Sequence, residues 1–480
     1  MKPITIKDVC KATGGKFLGG NPAAAVSGVS TNSRELGPGD LFFALVAKRD
    51  GHEFVADAFN AGAAAAVISR PLQVPAGKAA ILVADTLKAL GDLAAWYRRQ
   101  MPATVIGVTG SNGKTTTKEM IFHVLTGAAP TVKNPGNFNN NIGVPHTLFK
   151  IEPADRFAVV EMGTSAHGEI RRLAEIGGPQ LGVVTNVSAT HLEGLGTPQG
   201  VAMEKGCLIE ALPAGGIAVL NADDFWCRKI ATRASARLSM YGFEEGAGVL
   251  ATAVQHSAKG ARFEALGKTF QLQVLGQHNV ANALAAIAVA FNLGLDLDMI
   301  AARLAAFRLP PMRMERIEIG SIVIINDAYN ANLESMRAAL HEFARLPVPG
   351  RKVAVCGDML ELGEQSDDIH RQVGKLAATC GFDLLLAVGE QARMLARGAI
   401  EAGMPPARVV HLPGTEAAQA ALAGLLKAHD TILLKASRRM ALENLVKTAE
   451  SSISTGLPAR TEAADELYHT FRAAALQPTK

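Results

Sequence analysis

Residues Val105 to Met120 read VIGVTGSNGKTTTKEM, an apolar run, a short glycine-bearing loop, and a lysine-threonine pair opening an amphipathic segment. Glycines at 110 and 113 permit a tight turn whose backbone N–H groups can face phosphate oxygens, and the helix that follows adds its positive end. Lys114 can reach terminal phosphates and Thr115 can offer its hydroxyl to Mg²⁺. The cradle therefore comprises Gly110, Ser111, Asn112, Gly113, Lys114, Thr115 and Thr116. A strict phosphate-loop pattern would have glycine at 108, where this chain has Val108.

Two further residues stand where open α/β sheets place their ligands, at the carboxyl ends of strands. Glu161 closes the apolar run FAVVEMG and can hold a Mg²⁺ ion that bridges phosphates, or is simply a solvated strand end. His191 follows LGVVTNV and is either a metal ligand or an ordinary loop histidine.

Positioning these groups requires strands alternating with helices. From Thr104 the runs TVIGVT, FAVVEMG and LGVVTNV are continuously apolar and separated by helical patterns, which predicts a parallel sheet covered on both faces. RFEALGKTFQLQVLG has a shorter period and predicts an antiparallel edge hairpin near Gly267 and Lys268. A second doubly wound layer is expected from KVAVCGDM, DLLLAVGE, ARVVHL and DTILLKAS. The fold class is thus α/β in three domains: a small N-terminal α/β domain over 1–103, a central P-loop domain with a doubly wound, mostly parallel sheet over 104–314, and a Rossmann-like domain over 315–480.

Composition agrees with a folded multidomain chain: 480 residues, 48% apolar and 19% charged. A net charge of +4, scattered rather than clustered, gives no footprint for nucleic acid. Cysteines at 10, 207, 227, 356 and 380 form no CxxC pair or metal-ligand spacing, which argues for a reducing compartment. No run approaches the length of a membrane span, and MKPITIKDVCKATGG lacks the apolar core of a signal peptide. A cytoplasmic protein is expected, working as a monomer on an anionic small substrate.

TGSNGKTT, ATHLEGLG, AMEKGCLIE and GQHNVANALAA, in this order, resemble segments of the Mur ligases, the ATP-dependent amide-forming enzymes of peptidoglycan assembly. The resemblance implies metal-binding roles for Glu161 and His191 beside Thr115, and a carbamylated lysine at Lys205, with two Mg²⁺ ions. It implies nucleotide contacts from Asn279, and from Arg313, Asp327, Tyr329 and Asn330 in PMRMERI and INDAYNAN. VSTNSRELGPGDLFFAL resembles a uridine-diphosphate-binding segment, giving Thr31, Asn32, Ser33 and Arg34; Asn137, Asn140, Asn141, Ser165 and His167 are further expected substrate contacts. Asn32, Leu333 and Ala436 stand where the family usually has Asp, Pro and Gly.

NPGNFNNNIGVPHTL, NDAYNANLESMRAAL and GDMLELGE point, within the family, to addition of D-alanyl-D-alanine to UDP-N-acetylmuramoyl-tripeptide through an acyl phosphate. Lys114, Glu161, His191 and Lys205 would carry the chemistry. The alternatives are a ligase of the same architecture that adds a diamino acid or glutamate, and a catalytically silent nucleotide-binding scaffold.

Overall fold

The computed structural model describes residues 1–257 and 260–454. Residues 455–480, assigned from the sequence to the third domain, lie outside the described residues. The chain is α/β, with one principal sheet in each of three domains.

In the first domain, strands run in the order Lys16–Leu18, Ala79–Leu82, Ala65–Ile68, Asp40–Phe43 and Gly28–Ser30, antiparallel only at the first pair. Helix Thr86–Arg98 follows, started by the Asp85 carboxylate, which accepts from the Leu87 and Lys88 backbone N–H groups at 2.8 and 2.9 Å. Its Leu90, Leu93 and Tyr97 enter an apolar cluster that also contains Val105, Val160, Ile170 and Leu173 of the central domain. The first two domains therefore share one core.

The central sheet has seven parallel strands: Val249–Leu250, Arg237–Gly242, Ile217–Asn221, Leu181–Val184, Thr104–Thr109, Phe157–Glu161 and Thr131–Lys133. The P-loop strand Thr104–Thr109 lies inside the sheet between Leu181–Val184 and Phe157–Glu161, with Glu161 opposite Val108 and Val184 opposite Thr109, so neighbouring carboxyl ends open together onto one edge. The alanine-rich helix Gln277–Asn292 packs on the P-loop helix Lys114–Leu125, its small side chains allowing a close approach.

The hairpin around Gly267 forms, but not as an edge of this sheet. It belongs to a separate three-stranded antiparallel sheet, Thr252–Ser257, Gly260–Ala265 and Lys268–Leu272. The reason is burial: Phe263 and Phe270 pair across the strands with ring centroids 5.5 Å apart, and their face packs into the core beneath helix Gln277–Asn292.

The third domain holds a six-stranded sheet in the order Glu315–Ile319, Ile322–Asn326, Thr431–Lys435, Lys352–Gly357, Leu384–Val388 and Val409–Leu412. Only the first pair is antiparallel. The last strand in sequence inserts between the second and third, and the crevice at such a reversal is where open sheets bind ligands. Its apolar clusters include Met314, so the segment that carries Arg313 and Met314 packs with this domain, while Leu309 just before it packs against both sides.

Candidate active site

The P-loop is stapled to the segment leaving strand Leu181–Val184. Asn112 N–H donates to Asn186 Oδ1 at 2.9 Å, Thr185 Oγ1 donates to the Asn112 carbonyl at 2.6 Å, and Ser188 N–H donates to Ser111 Oγ at 2.9 Å. Gly113 has φ +78°, and a Cβ there would lie 2.5 Å from Asn282 Oδ1, so this turn requires glycine. Lys114 Nζ folds back onto the carbonyls of Gly110 and Ser111 at 2.9 and 3.1 Å. Burial holds its ammonium below the ordinary lysine range; Glu161 opposes this and Arg313 adds to it.

Glu161 is 1% exposed at the end of its strand. Oε1 accepts from Asn139 Nδ2 at 2.8 Å, whereas buried Oε2 accepts no hydrogen bond, with Lys118 Nζ 3.8 Å away. A buried carboxylate oxygen without a donor needs a partner, and an oxygen-seeking cation is a suitable one. Thr115 supplies a second oxygen, at present accepting from Arg313 Nη2 at 3.3 Å. Among the described residues no group of three or more His, Cys, Asp or Glu side chains is arranged for a metal. The donors thus suit a hard cation completed by phosphate and water rather than an all-protein cage.

His191 has φ +54° and its Nδ1 lies 3.0 Å from Oε2 of Glu361, a third-domain residue with φ +65°. Burial, Lys114 and Lys205 hold the imidazole below the usual histidine range, against the pull of Glu361. Lys205, on helix Pro198–Glu210, is 1% exposed and lies behind the cavity wall rather than on it. Burial first, and Lys114 second, drive its amine well below the ordinary lysine range. Its neighbour Glu204 is committed elsewhere, accepting from the Gly168 and Ile170 N–H groups at the start of helix Glu169–Gly177.

Across the cavity, Arg313 stacks 4.0 Å above the Tyr329 ring, with its Nε buried and unpartnered. Asp327 is held in its own domain by Lys435 at 2.7 Å and by Met314 N–H at 3.1 Å, and Lys435 also donates to the Asn330 carbonyl at 3.0 Å. Asn279 donates to the Leu275 carbonyl and accepts from Asn282, whose Oδ1 takes the Thr117 hydroxyl. Lys114, Thr115, Glu161, His191, Asn279, Arg313, Asp327, Tyr329, Asn330, Glu361 and Lys435 border one cavity of about 970 Å³ between the central and third domains, whereas Gly110, Lys118 and Lys205 do not.

Among the expected substrate contacts, Asn137, Asn140 and Ser165 border the cavity, whereas Asn141, His167 and the 31–34 segment do not. Asn140 Oδ1 also accepts from the Ile142 and Gly143 N–H groups in the turn that leads into helix Gly143–Leu148. Thr31 Oγ1 is 3.4 Å from His146 Nε2, which ties the first-domain segment to that helix.

Family profiles match in three blocks: the Mur ligase middle domain over 108–290, the Mur ligase glutamate ligase domain over 312–438, and the Mur ligase family catalytic domain over 25–98. The chain is 37% identical to the UDP-N-acetylmuramoyl-tripeptide–D-alanyl-D-alanine ligase of Escherichia coli K12, across 94% of this chain and 99% of that one. The chain belongs to the Mur ligase family. Among solved structures it is similar to MurF from Acinetobacter baumannii, with TM-score 0.87, 31% identity, and coverage of 94% and 99% of the two chains. MurF from Thermotoga maritima in complex with ADP superposes with TM-score 0.80 at 29% identity, covering 89% and 98%. This Mur ligase has the three-domain α/β fold, and ATP use has support from the ADP-bound relative.

Sequence reasoning missed several polar residues of this Mur ligase site: Lys118, Asn134, Asn139, Glu361 and Lys435. Asn139 lies within the asparagine-rich stretch, and Lys118 falls one helical turn after Lys114, a spacing that could have exposed it. Glu361 lies within GDMLELGE and Lys435 closes the apolar run DTILLK, but neither segment tells which groups of the site the side chain will meet.

Proposed function

We propose that this chain joins D-alanyl-D-alanine to UDP-N-acetylmuramoyl-tripeptide, giving UDP-N-acetylmuramoyl-pentapeptide, ADP and phosphate. The carrying observation is that one cavity contains the phosphate loop, the donorless Oε2 of Glu161, and the asparagine-rich loop. The E. coli and Bacillus subtilis relatives, each 37% identical over more than nine-tenths of this chain, bear the name of that activity.

Joining a carboxylate to an amine in water is uphill, so the carboxylate first needs a good leaving group. Its oxygen attacks the γ-phosphorus of ATP, the bond to the β-γ bridging oxygen breaks, and ADP leaves. The amine of D-alanyl-D-alanine then attacks the acyl carbon and loses a proton, and phosphate departs with the former carboxylate oxygen. Lys114 and the P-loop N–H groups neutralise the transferred phosphoryl, where two anions must meet. Arg313, held against Tyr329, faces the same cavity and is positioned to add charge from the third domain.

Mg²⁺ bound by Glu161 and Thr115 would supply further positive charge to the phosphates. A second ion would use His191 and Lys205. Lys205 suits carbamylation because burial favours its neutral amine, the form that adds carbon dioxide to become an oxygen-bearing anion. Thr31 to Arg34 would hold the uridine diphosphate. Asn279, Arg313, Asp327, Tyr329 and Asn330 would contact the nucleotide.

A cytoplasmic, monomeric enzyme is proposed. All five cysteines are free, and no helix among the described residues is long and apolar enough to cross a membrane. The test is phosphate release with ATP and the UDP-linked tripeptide, with and without D-alanyl-D-alanine. Release requiring all three, with UDP-linked pentapeptide formed, is expected. Ligation of a diamino acid or glutamate instead, or no turnover with any amine, overturns the assignment.

A further inference from the structure

We propose that Lys118 is a positioning residue that fastens the asparagine-rich loop to the P-loop helix, so that the phosphate site and the peptide-substrate side of the cavity hold one fixed relation. Lys118 is fully buried, four residues after Lys114 on the same helix. Its ammonium donates to the carbonyls of Asn134 and Gly136 at 3.0 and 2.9 Å, and pairs with Glu119 Oε1 at 3.1 Å. Glu119 is itself shared with Lys133 on the edge strand. An ammonium has three donors and no acceptor, and a buried one is costly unless each is used. Here two point at the root of one loop.

That loop is then closed onto Glu161. Asn134 Oδ1 accepts from the Glu161 N–H at 2.8 Å, while Asn134 Nδ2 donates to the Phe138 and Glu161 carbonyls at 3.0 and 3.3 Å. Asn139 donates to Glu161 Oε1, and its carbonyl accepts from Gly163 N–H at 2.8 Å. The seat is close: a Cβ on Gly163 would come within 2.7 Å of Asn139 Cγ. Buried Lys118 underlies the whole assembly, while Asn137 and Asn140 face the cavity and Phe138 stands 57% exposed beside them. A neutral amide can hold two carbonyls, as Asn134 does, but it cannot also balance the Glu119 carboxylate with Glu161 close by; that calls for a cation with several donors.

The inference rests on the ligase reading. The side chains of Lys114, Asn279 and Arg313 do not bond the loop, and among the described residues only Glu161 links it to the phosphate side, so loss of the ammonium should fall mainly on the UDP-linked substrate. For Lys118→Met the expectation is a 10–100-fold loss of kcat/KM for UDP-linked tripeptide, the range seen when groups supporting a site's direct ligands are removed. The KM for ATP, which the loop reaches only through Glu161, should rise by a clearly smaller factor. Hydrogen–deuterium exchange should rise at residues 136–144 but not in helix Lys114–Leu125. If Lys118→Met does not fold, Lys118→Arg carries the test: the larger guanidinium cannot seat in the buried space without displacing the loop root, and must give the same split. Wild-type loop exchange in a folded variant, or KM for ATP rising in step with KM for the UDP-linked substrate, overturns the proposal. Failure of the wild type to ligate would instead overturn the ligase reading, and the exchange measurement would still decide the tether.

Discussion

The two junctions made by the central domain are built from opposite materials. Toward the first domain, Leu90, Leu93 and Tyr97 interlock with Val105, Val160, Ile170 and Leu173 in one buried cluster. Toward the third, apart from Leu309 of the connecting segment, the contacts that cross are polar: Arg313 to Thr115, Asn332 to Asn112 at 2.7 Å, and Glu361 to His191. Opening an apolar contact costs about 25 cal/mol for each Å² exposed. Polar pairs exchange partners with water at a net cost of only about 0.5–1.5 kcal/mol each. The first junction is therefore a weld and the second a closure surface, and the cavity that must admit and release a nucleotide lies at the second.

The largest effect is expected at the weld. Tyr97 is fully buried, donates to the Ile151 carbonyl at 2.8 Å, accepts from Lys2 N–H at 2.8 Å, and meets Phe149 edge-on at 5.8 Å. Tyr97→Ala should lower stability by about 3–5 kcal/mol, as for other large buried aromatics. A denaturant titration checks this; a change under about 1 kcal/mol would mean that the junction is not a shared core. At the polar side the signs reverse. Lys114→Ala should lose about 3 kcal/mol or more of transition-state stabilisation, roughly 100-fold in turnover, with little change in melting temperature. Near-normal turnover by the folded variant removes Lys114 from the phosphate site.

This contrast also separates what the sequence reveals from what it hides. The P-loop is legible because its strand, turn and helix are contiguous, and Glu161 because an apolar run ends on a carboxylate. The parallel layers of the central and third domains are legible from apolar runs spaced by helical patterns. Glu361 meets His191 across 170 positions in the chain, and nothing local announces that. Asn139 was passed over for Asn137, Asn140 and Asn141 because composition marks a loop as polar without telling which amide turns toward the carboxylate. The hairpin's sheet was misassigned for the same reason: period two reveals antiparallel strands, but not which sheet they join.

Lys205 tests the chemistry behind the closure surface. Lys205→Ala should lose about 10–100-fold in turnover if the lysine acts as a metal-supporting anion, and added formate should restore part of it. A variant as active as wild type, or electron density for a bare amine in the metal-bound enzyme, ends the carbamate assignment. Closure itself should appear in small-angle scattering as a smaller radius of gyration with ATP analogue and UDP-linked tripeptide together. An unchanged profile at saturation would make the second junction as fixed as the first.

The smallest effect is expected at His191 and Glu361, the contact that closes the cavity's rim. Because burial and two lysines depress the His191 pKa, the imidazole is favoured as the neutral form, and its contact with Glu361 is chiefly a hydrogen bond rather than an ion pair. Folding therefore disfavours the proton on His191: its contribution is fully present above the unfolded histidine pKa and is lost as pH falls through the lower, folded value. Glu361→Gln keeps an acceptor oxygen, so above neutral pH it should change stability by less than about 1 kcal/mol, the usual ceiling for an exposed pair. Below pH 6 the two proteins should diverge, because only the native carboxylate compensates a histidine that begins to charge; the glutamine variant should lose stability sooner on acidification. Thermal melts from pH 5 to 8 check this. A large loss at pH 8 would mean that the pair bears a full charge and that the closure surface is more rigid than its polar contacts imply.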